Sequence, residues 1–143
     1  MAQRAAGEAV GGLLALRTAA LFGADADDLR LAIRTLSTRD GFAELGRGFF
    51  GRFMGRFLNF YLTRATASDT GGRRLQQVGD LAAFDNALEA HCHQSARIVR
   101  DMCGEWYSST EFREGINQEN VARFMAVAVE KLRAELRVQR AEA

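Results

Sequence analysis

The sequence predicts an all-α protein, a single-domain helical bundle of about five helices, and three observations support this prediction. The chain of 143 residues contains no proline, the residue that interrupts helix interiors. The strong helix formers Ala, Leu, Arg and Glu are abundant. Apolar residues recur at spacings of three and four through most of the chain. The length fits one domain, 1–143, without a separate linker.

The first two predicted helices precede the most unusual stretch of the chain. Residues 2–22 predict a helix whose glycines make it weak by itself and suit it to close packing: Gly7, Gly11 and Gly12. Asp25 or Asp27 is an N-cap for the second helix. Its apolar residues are Leu29, Leu31, Ile33 and Leu36.

The third predicted helix, called here the Phe–Gly helix, begins near Gly41 or Phe42 and continues to about Arg64. At 100° per residue its aromatic residues share one side, as expected for a core-facing surface: Phe49, Phe50, Phe53, Phe57, Phe60 and Tyr61. Three glycines share the opposite side: Gly48, Gly51 and Gly55. Arg52 and Arg56 lie on one flank.

Glycine costs a helix about 1 kcal/mol relative to alanine, so three within eight residues indicate that another backbone approaches closely. This helix is either the central helix of the bundle or one that also contacts a second copy or another protein. The candidate interaction residues are Gly48, Gly51, Gly55, Phe49, Phe53, Phe57, Arg52 and Arg56. A membrane span requires about 20 mostly apolar residues, and two arginines interrupt this shorter run, although an interfacial membrane helix stays open.

The second half of the chain predicts a loop and two further helices. Residues 66–79 are rich in turn formers and predict a flexible loop. Asp80 is expected to cap a long helix that runs to Cys103 and stops at Gly104. A heptad-like seam follows it, supplemented by Cys92 and Val99: Leu81, Phe84, Leu88, His91, Ser95, Ile98 and Met102.

The end of the chain predicts how the bundle closes. Trp106, Tyr107 and Phe112 are expected to cover one end of it. Asn117 is expected to cap a last helix, about 118–138, followed by a frayed tail, 139–143. Its inner face is predicted from apolar spacing: Val121, Phe124, Met125, Ala128, Val129, Leu132 and Leu136.

Every His and Cys lies between positions 91 and 103, so a metal site deserves a test. Consecutive residues on a helix point about 100° apart, so His91, Cys92 and His93 cannot converge on one ion, and the spacing of a structural zinc site is absent. His91 and His93 remain the candidate ligands, with His91 expected in the core and His93 on the surface.

We find no catalytic motif and expect no cofactor. Two cysteines do not form a disulfide framework, which favours a reducing, cytoplasmic location.

Charge is distributed unevenly along the chain despite a net charge of +1. Residues 41–75 carry six Arg against two carboxylates, and residues 76–120 carry three Arg against eight carboxylates. These blocks could pair within the fold or between copies. We therefore expect a non-catalytic assembly or interaction module that binds itself or a larger protein. The first alternative is a small-ligand or metal-binding bundle around His91, which could include an enzyme. The second is a nucleic-acid or membrane-surface binder through residues 46–64.

Overall fold

The computed structural model describes residues 1–18, 25–68 and 78–142, and every regular element within these ranges is helical. The elements follow one another in this order: α1 Ala2–Arg17, α2 Ala26–Leu36, α3 Arg39–Ser68, α4 Val78–Ser95, a 3-10 turn Ala96–Val99, α5 Arg100–Arg113 and α6 Gln118–Glu142. Because α4, the 3-10 turn and α5 continue without a break, the described residues form five helical segments. The predicted all-α bundle is confirmed.

Helix α3, the Phe–Gly helix, lies at the centre and packs against α1, α2, α4 and α5. It begins at Arg39, before the predicted start. The Thr38 hydroxyl accepts a 3.1 Å hydrogen bond from the N–H of Gly41 and so caps the first turn. The helix ends at Ser68 rather than near Arg64. A helix of 30 residues spans about 45 Å, which leaves room for different neighbours along its length.

The core is one apolar cluster contributed by α3, by the α4–α5 segment and by α6. Its buried members are Phe50, Met54, Cys92, Ala96, Val99, Cys103, Phe124, Ala128 and Leu132. Trp106 stacks on Phe124 with ring centroids 4.4 Å apart, and Phe124 meets the edge of Phe50 at 6.5 Å. These rings join α3, α5 and α6 into one packed unit.

Two of the three aromatic residues predicted to close the bundle contact its other helices. Trp106 packs on α6, as described above. Tyr107 stacks on Phe42 at 4.6 Å, and its hydroxyl donates a 3.1 Å hydrogen bond to the Ser37 carbonyl oxygen. Phe112 is 91% exposed, so its predicted place in the packing is wrong.

The start of α2 carries the cap that the sequence predicts at Asp25. The Asp25 carboxylate accepts hydrogen bonds from the N–H groups of Asp27 and Asp28 at 2.9 and 2.8 Å. In return, the Asp28 carboxylate accepts a 3.3 Å bond from the Asp25 N–H. Helix α2 buries only Ala32 and Leu36. Its other three large apolar residues are exposed: Leu29, Leu31 and Ile33.

We expect Asp25→Ala to lower the free energy of unfolding by about 1 kcal/mol, because two backbone N–H groups lose their acceptor. Urea unfolding followed by circular dichroism measures this. Asp27→Ala is the matched control, since its side chain forms only an exposed ion pair with Arg30 at 3.0 Å, worth at most about 1 kcal/mol. Equal stability of Asp25→Ala and the wild type would contradict the assigned cap.

The predicted helix from Asp80 to Cys103, stopped by Gly104, is wrong in its bounds. Helix α4 begins at Val78, tightens into the 3-10 turn, and continues as α5 to Arg113. Gly104 lies inside α5, where a Cβ would stand 2.9 Å from the Arg39 carbonyl oxygen. This glycine therefore permits close helix packing rather than ending a helix.

The buried face of α4 and α5 also differs from the predicted seam. The residues that face the core are Cys92, Ser95, Ala96, Val99 and Cys103. Phe84, His91 and Ile98, predicted on the seam, are exposed, whereas Cys92, Ser95 and Val99 are buried as predicted. The buried residues Cys92, Ala96, Val99 and Cys103 keep helical spacings of four, three and four, each one position after a residue of the predicted heptad. The core-facing side of this segment is therefore rotated by about one residue, or about 100°.

Helix α6 agrees with the prediction at its start and along its inner face. Asn117 and Asn120 exchange two hydrogen bonds of 3.0 Å at its start, side chain to backbone in both directions, which confirms Asn117 as the cap. Phe124, Ala128 and Leu132 of the predicted inner face are buried. The predicted end of α6 is wrong, because the helix continues past position 138 to Glu142 and so includes 139–142 of the predicted frayed tail. Ala143 lies outside the described residues.

Two predicted features fall partly on residues that the structure does not describe. Of the predicted loop, 66–79, positions 69–77 lie outside the described residues, and its margins belong to α3 and α4. Positions 19–22 of the predicted first helix also lie outside them. The described part of that helix, α1, ends at Arg17.

Candidate interaction surface

The aromatic residues of α3 form a continuous row of ring contacts along the helix. Phe49 stacks on Phe53 with centroids 5.8 Å apart. Phe53 lies 6.3 Å from Phe57, and Phe57 lies 4.6 Å from Tyr61. The four-residue spacing brings each side chain beside the next on one face. The row therefore extends the apolar surface over three turns.

This row leaves the core as the helix proceeds, so the prediction of a wholly core-facing stripe is wrong. Phe50 is 1% exposed, whereas Phe57, Phe60 and Tyr61 are 42%, 41% and 55% exposed. The α3 residues that pack on the core end at Leu58. We call Phe57, Phe60 and Tyr61 the aromatic end of α3. A side chain of this type normally buries 150–250 Å², so their exposure marks a surface available for binding.

The three α3 glycines of the predicted glycine face have different surroundings. A Cβ on Gly48 would lie 3.6 Å from the Cβ of Ala9 in α1, and a Cβ on Gly51 would lie 2.6 Å from Nδ1 of His93 in α4. Gly48 and Gly51 thus allow close packing inside the bundle. Gly55 would meet nothing within 4 Å; it lines an open groove of about 390 Å³ between α1, α3 and α4.

Helix α1 packs on α3 through alanines rather than through its own glycines. Ala5 and Ala9 are its buried residues. A Cβ on Gly7 or Gly11 would meet nothing within 4 Å, and one on Gly12 would lie 3.3 Å from Nη2 of Arg52. The small Ala side chains bring the two helices together, and the glycines of α1 do not pack against the glycines of α3.

Arg52 and Arg56, on the flank of α3, face α1, whereas the aromatic end of α3 is exposed. Nη2 of Arg56 lies 2.5 Å from both carboxylate oxygens of Glu8. This hydrogen bonding holds the pKa of Glu8 below its ordinary value. Nη1 of Arg52 donates to the Gly48 carbonyl oxygen at 3.2 Å. Arg56 therefore helps to hold α1 against α3.

The His and Cys residues do not converge on a common point. His91 is exposed, which corrects its predicted place in the core, and His93, predicted on the surface, packs over Gly51. Within the described ranges, no group of three or more His, Cys, Asp or Glu side chains could hold a metal ion. Cys92 and Cys103 are free and buried. Burial raises their pKa values to about 11 and about 12, so both remain thiols at neutral pH.

The charge blocks interact only in part through the described residues. Arg100 Nε lies 2.5 Å from Glu44 Oε1, which pairs an Arg of the acidic block with a carboxylate of the basic block. Asn59 donates a 2.9 Å hydrogen bond to Asp85. These contacts join α3 to α4 and α5. Because the ion pair uses one arginine of the acidic block and one carboxylate of the basic block, it does not reduce the excess charge of either block.

No known protein family, curated protein or solved structure matches this chain. None of the described helices combines the length and the apolar character needed to cross a membrane. The periodicity of the sequence identified the aromatic row. The exposure of its C-terminal end and the proximity of His93 to Arg52 could not be predicted in this way, because both depend on how α1 and α4 pack on α3.

Proposed function

We propose that this protein is a non-catalytic helical assembly module that pairs with a second copy through the aromatic end of α3. The observation that carries the proposal is the exposure of Phe57, Phe60 and Tyr61, at 41–55% each, on one end of the central helix. With about half of each side chain uncovered, the three offer roughly 300 Å² of aromatic surface. Patches of this size on monomers are often functional.

A second copy suits this surface because the row is self-complementary. In an antiparallel pair of α3 helices with the two-fold axis at Phe57, Phe57 meets its own counterpart and Phe53 meets Tyr61. Such an isologous contact uses the same patch on both chains and closes into a dimer. Aromatic side chains are also the type most enriched at interface centres.

The charges on α3 favour such a pairing. Arg56 is turned away from the row toward Glu8 of α1, and Arg52 lines grooves beside α1 and α4. Among the charged residues of α3, only Arg64 lies near the aromatic end, with its guanidinium 5.3 Å from the centroid of the Phe60 ring. Two copies can therefore approach without placing a row of like charges face to face.

The test is light scattering after size-exclusion chromatography, over a range of protein concentrations and at low and high salt. We expect a concentration-dependent dimer that persists at high salt, because apolar contacts are not screened. The double substitution Phe57→Ser with Tyr61→Ser should weaken association by about tenfold to a hundredfold, since each lost aromatic contact contributes about 1 kcal/mol or more. Circular dichroism should show unchanged helicity.

Phe112→Ser is the matched control, because this side chain is 91% exposed and lies on α5. It should leave the dimer unchanged. A 15.8 kDa monomer at every concentration would contradict self-association. Dissociation at high salt would instead favour pairing through the charge blocks, and an excess of absorbance at 260 nm that salt removes would favour nucleic acid.

A further inference from the structure

A second pocket, distinct from the aromatic end, lies where α1, α3 and α4 meet. It has a volume of about 210 Å³. Its polar lining comes from Glu44, Arg47, Arg52 and His93. Its remaining walls are small or apolar: Ala9, Gly12, Leu13, Leu16 and Gly48. The pocket thus combines cationic groups on one side with aliphatic groups on the other.

Arg52 is the arginine of this pocket that has no carboxylate partner among the described residues. A guanidinium has five N–H donors, and among the described contacts Arg52 makes one hydrogen bond, to the Gly48 carbonyl oxygen at 3.2 Å. No carboxylate of the described residues lies within ion-pair distance of it. A Cβ on Gly12 would stand 3.3 Å from Nη2 of Arg52, and a Cβ on Gly48 would stand 3.2 Å from its Nη1. The absence of side chains at these two glycines therefore leaves space beside the guanidinium.

His93 supplies the second polar group, from α4. Its pKa is lowered, chiefly by burial and then by the positive charges of Arg52 and Arg47 on α3. The negative charge of Glu89, on the same helix as His93, raises the pKa and offsets part of this effect. Nε2 of His93 lies 3.8 Å from a Glu89 carboxylate oxygen. A bound anion would raise the pKa of His93, because its negative charge favours the protonated imidazole. Binding of the anion is therefore coupled to protonation of His93.

The carboxylate of Glu44 does not cancel the positive charge. Its Oε1 lies 2.5 Å from Nε of Arg100 in α5, and its Oε2 lies 4.0 Å from Arg47. Glu44 is therefore engaged by two arginines, and Arg52 has no such partner. A monoanion fits this balance better than a dianion, because Glu44 repels each added negative charge.

We propose that Arg47, Arg52 and His93 form a binding site for a small carboxylate that carries a short aliphatic chain. Charge-assisted N–H···O bonds from Arg52 hold the carboxylate. The aliphatic chain lies along Leu13 and Leu16 of α1, where it removes apolar surface from water. This site is independent of the dimer contact, because it lies on the opposite flank of α3.

The probe is hexanoate, titrated at constant ionic strength while the imidazole signals of His91 and His93 are followed by NMR. These are the only histidines of the chain, and the exposed His91 serves as an internal reference. We expect a saturable shift of His93 in the millimolar range, typical of so small a ligand. Acetate should bind about tenfold more weakly, because it lacks the chain.

Arg52→Gln should weaken hexanoate binding by about tenfold or more, whereas Arg123→Gln, which alters only an exposed residue of α6, should not. Gly12→Ala should also weaken binding, since its Cβ crowds the Arg52 guanidinium while improving helix propensity. Gly7→Ala, with nothing within 4 Å of its Cβ, is its control on the same helix. Because both alanine variants favour the folded helix, loss of binding in Gly12→Ala alone is not a folding effect.

The pH dependence provides an independent readout. Hexanoate should bind more tightly at about pH 6 than at about pH 8, because protonated His93 adds a donor and a positive charge. In His93→Gln the affinity should no longer change over this range. The proposal is overturned if hexanoate gives no saturable shift, if Arg52→Gln binds as the wild type does, if Gly12→Ala binds as Gly7→Ala does, or if acetate and hexanoate bind equally.

Discussion

Replacing Gly41 with alanine is expected to destabilise the protein by about 3 kcal/mol or more. A Cβ at this position would overlap the Thr35 carbonyl oxygen and stand 2.8 Å from the Thr35 carbonyl carbon and 2.9 Å from the Leu36 Cα. These are backbone atoms at the end of α2, so no side-chain rotation relieves the overlap. The α2–α3 corner would have to open, and the contact of Tyr107 with Ser37 would be disturbed with it.

Urea unfolding followed by circular dichroism measures this loss. Gly55→Ala is the matched control in the same helix, because a Cβ there meets nothing within 4 Å. It should stabilise α3 by up to about 1 kcal/mol through helix propensity. Two alanine substitutions in one helix are thus expected to have opposite signs. A neutral Gly41→Ala would contradict the close approach of α2 to α3.

Replacing Phe124 with alanine is expected to cost about 3–5 kcal/mol of unfolding free energy. Phe124 is 9% exposed, and its ring contacts both Trp106 of α5 and Phe50 of α3. Its removal leaves a cavity between three helices and exposes part of each neighbour. Because folded domains of this size are stable by only about 5–15 kcal/mol, this loss approaches the whole stability of the protein.

The control for this second substitution is Phe112→Ala. Phe112 is the same residue type, is 91% exposed, and should change the stability by less than about 0.5 kcal/mol. Trp106 fluorescence gives a local readout, since its indole stacks directly on Phe124. Similar unfolding midpoints for the two variants would show that α6 does not pack on α3 and α5 in this way.

Features that depend on a few neighbouring residues were predictable from the sequence. Asp25 and Asn117 act as helix caps because each side chain reaches N–H groups two or three residues further along the chain. The inner face of α6 followed from apolar spacing because that helix is regular over its predicted length. The absence of proline and the choice of helix formers determined the class of fold.

Features that depend on contacts between helices were not predictable in the same way. The Phe–Gly helix has one continuous aromatic row, and its pattern does not change at Leu58, where the core contacts end. Gly51 and Gly55 have the same residue type and are one turn apart, yet only Gly51 lies under His93. In α4 and α5, neighbouring positions such as His91 and Cys92 are both compatible with a helical seam, and the packing against α3 and α6 buried Cys92 and left His91 exposed.

By itself, the sequence of this protein determined its all-α class, the capped starts of α2 and α6, and the existence of an aromatic and a glycine face on one central helix. The tertiary structure decided which parts of those faces are covered. It buried Phe50, exposed Tyr61, and brought His93 beside Arg52. The physical reason is that periodicity records which side of a helix is apolar, whereas exposure depends on how far the neighbouring helices extend along it.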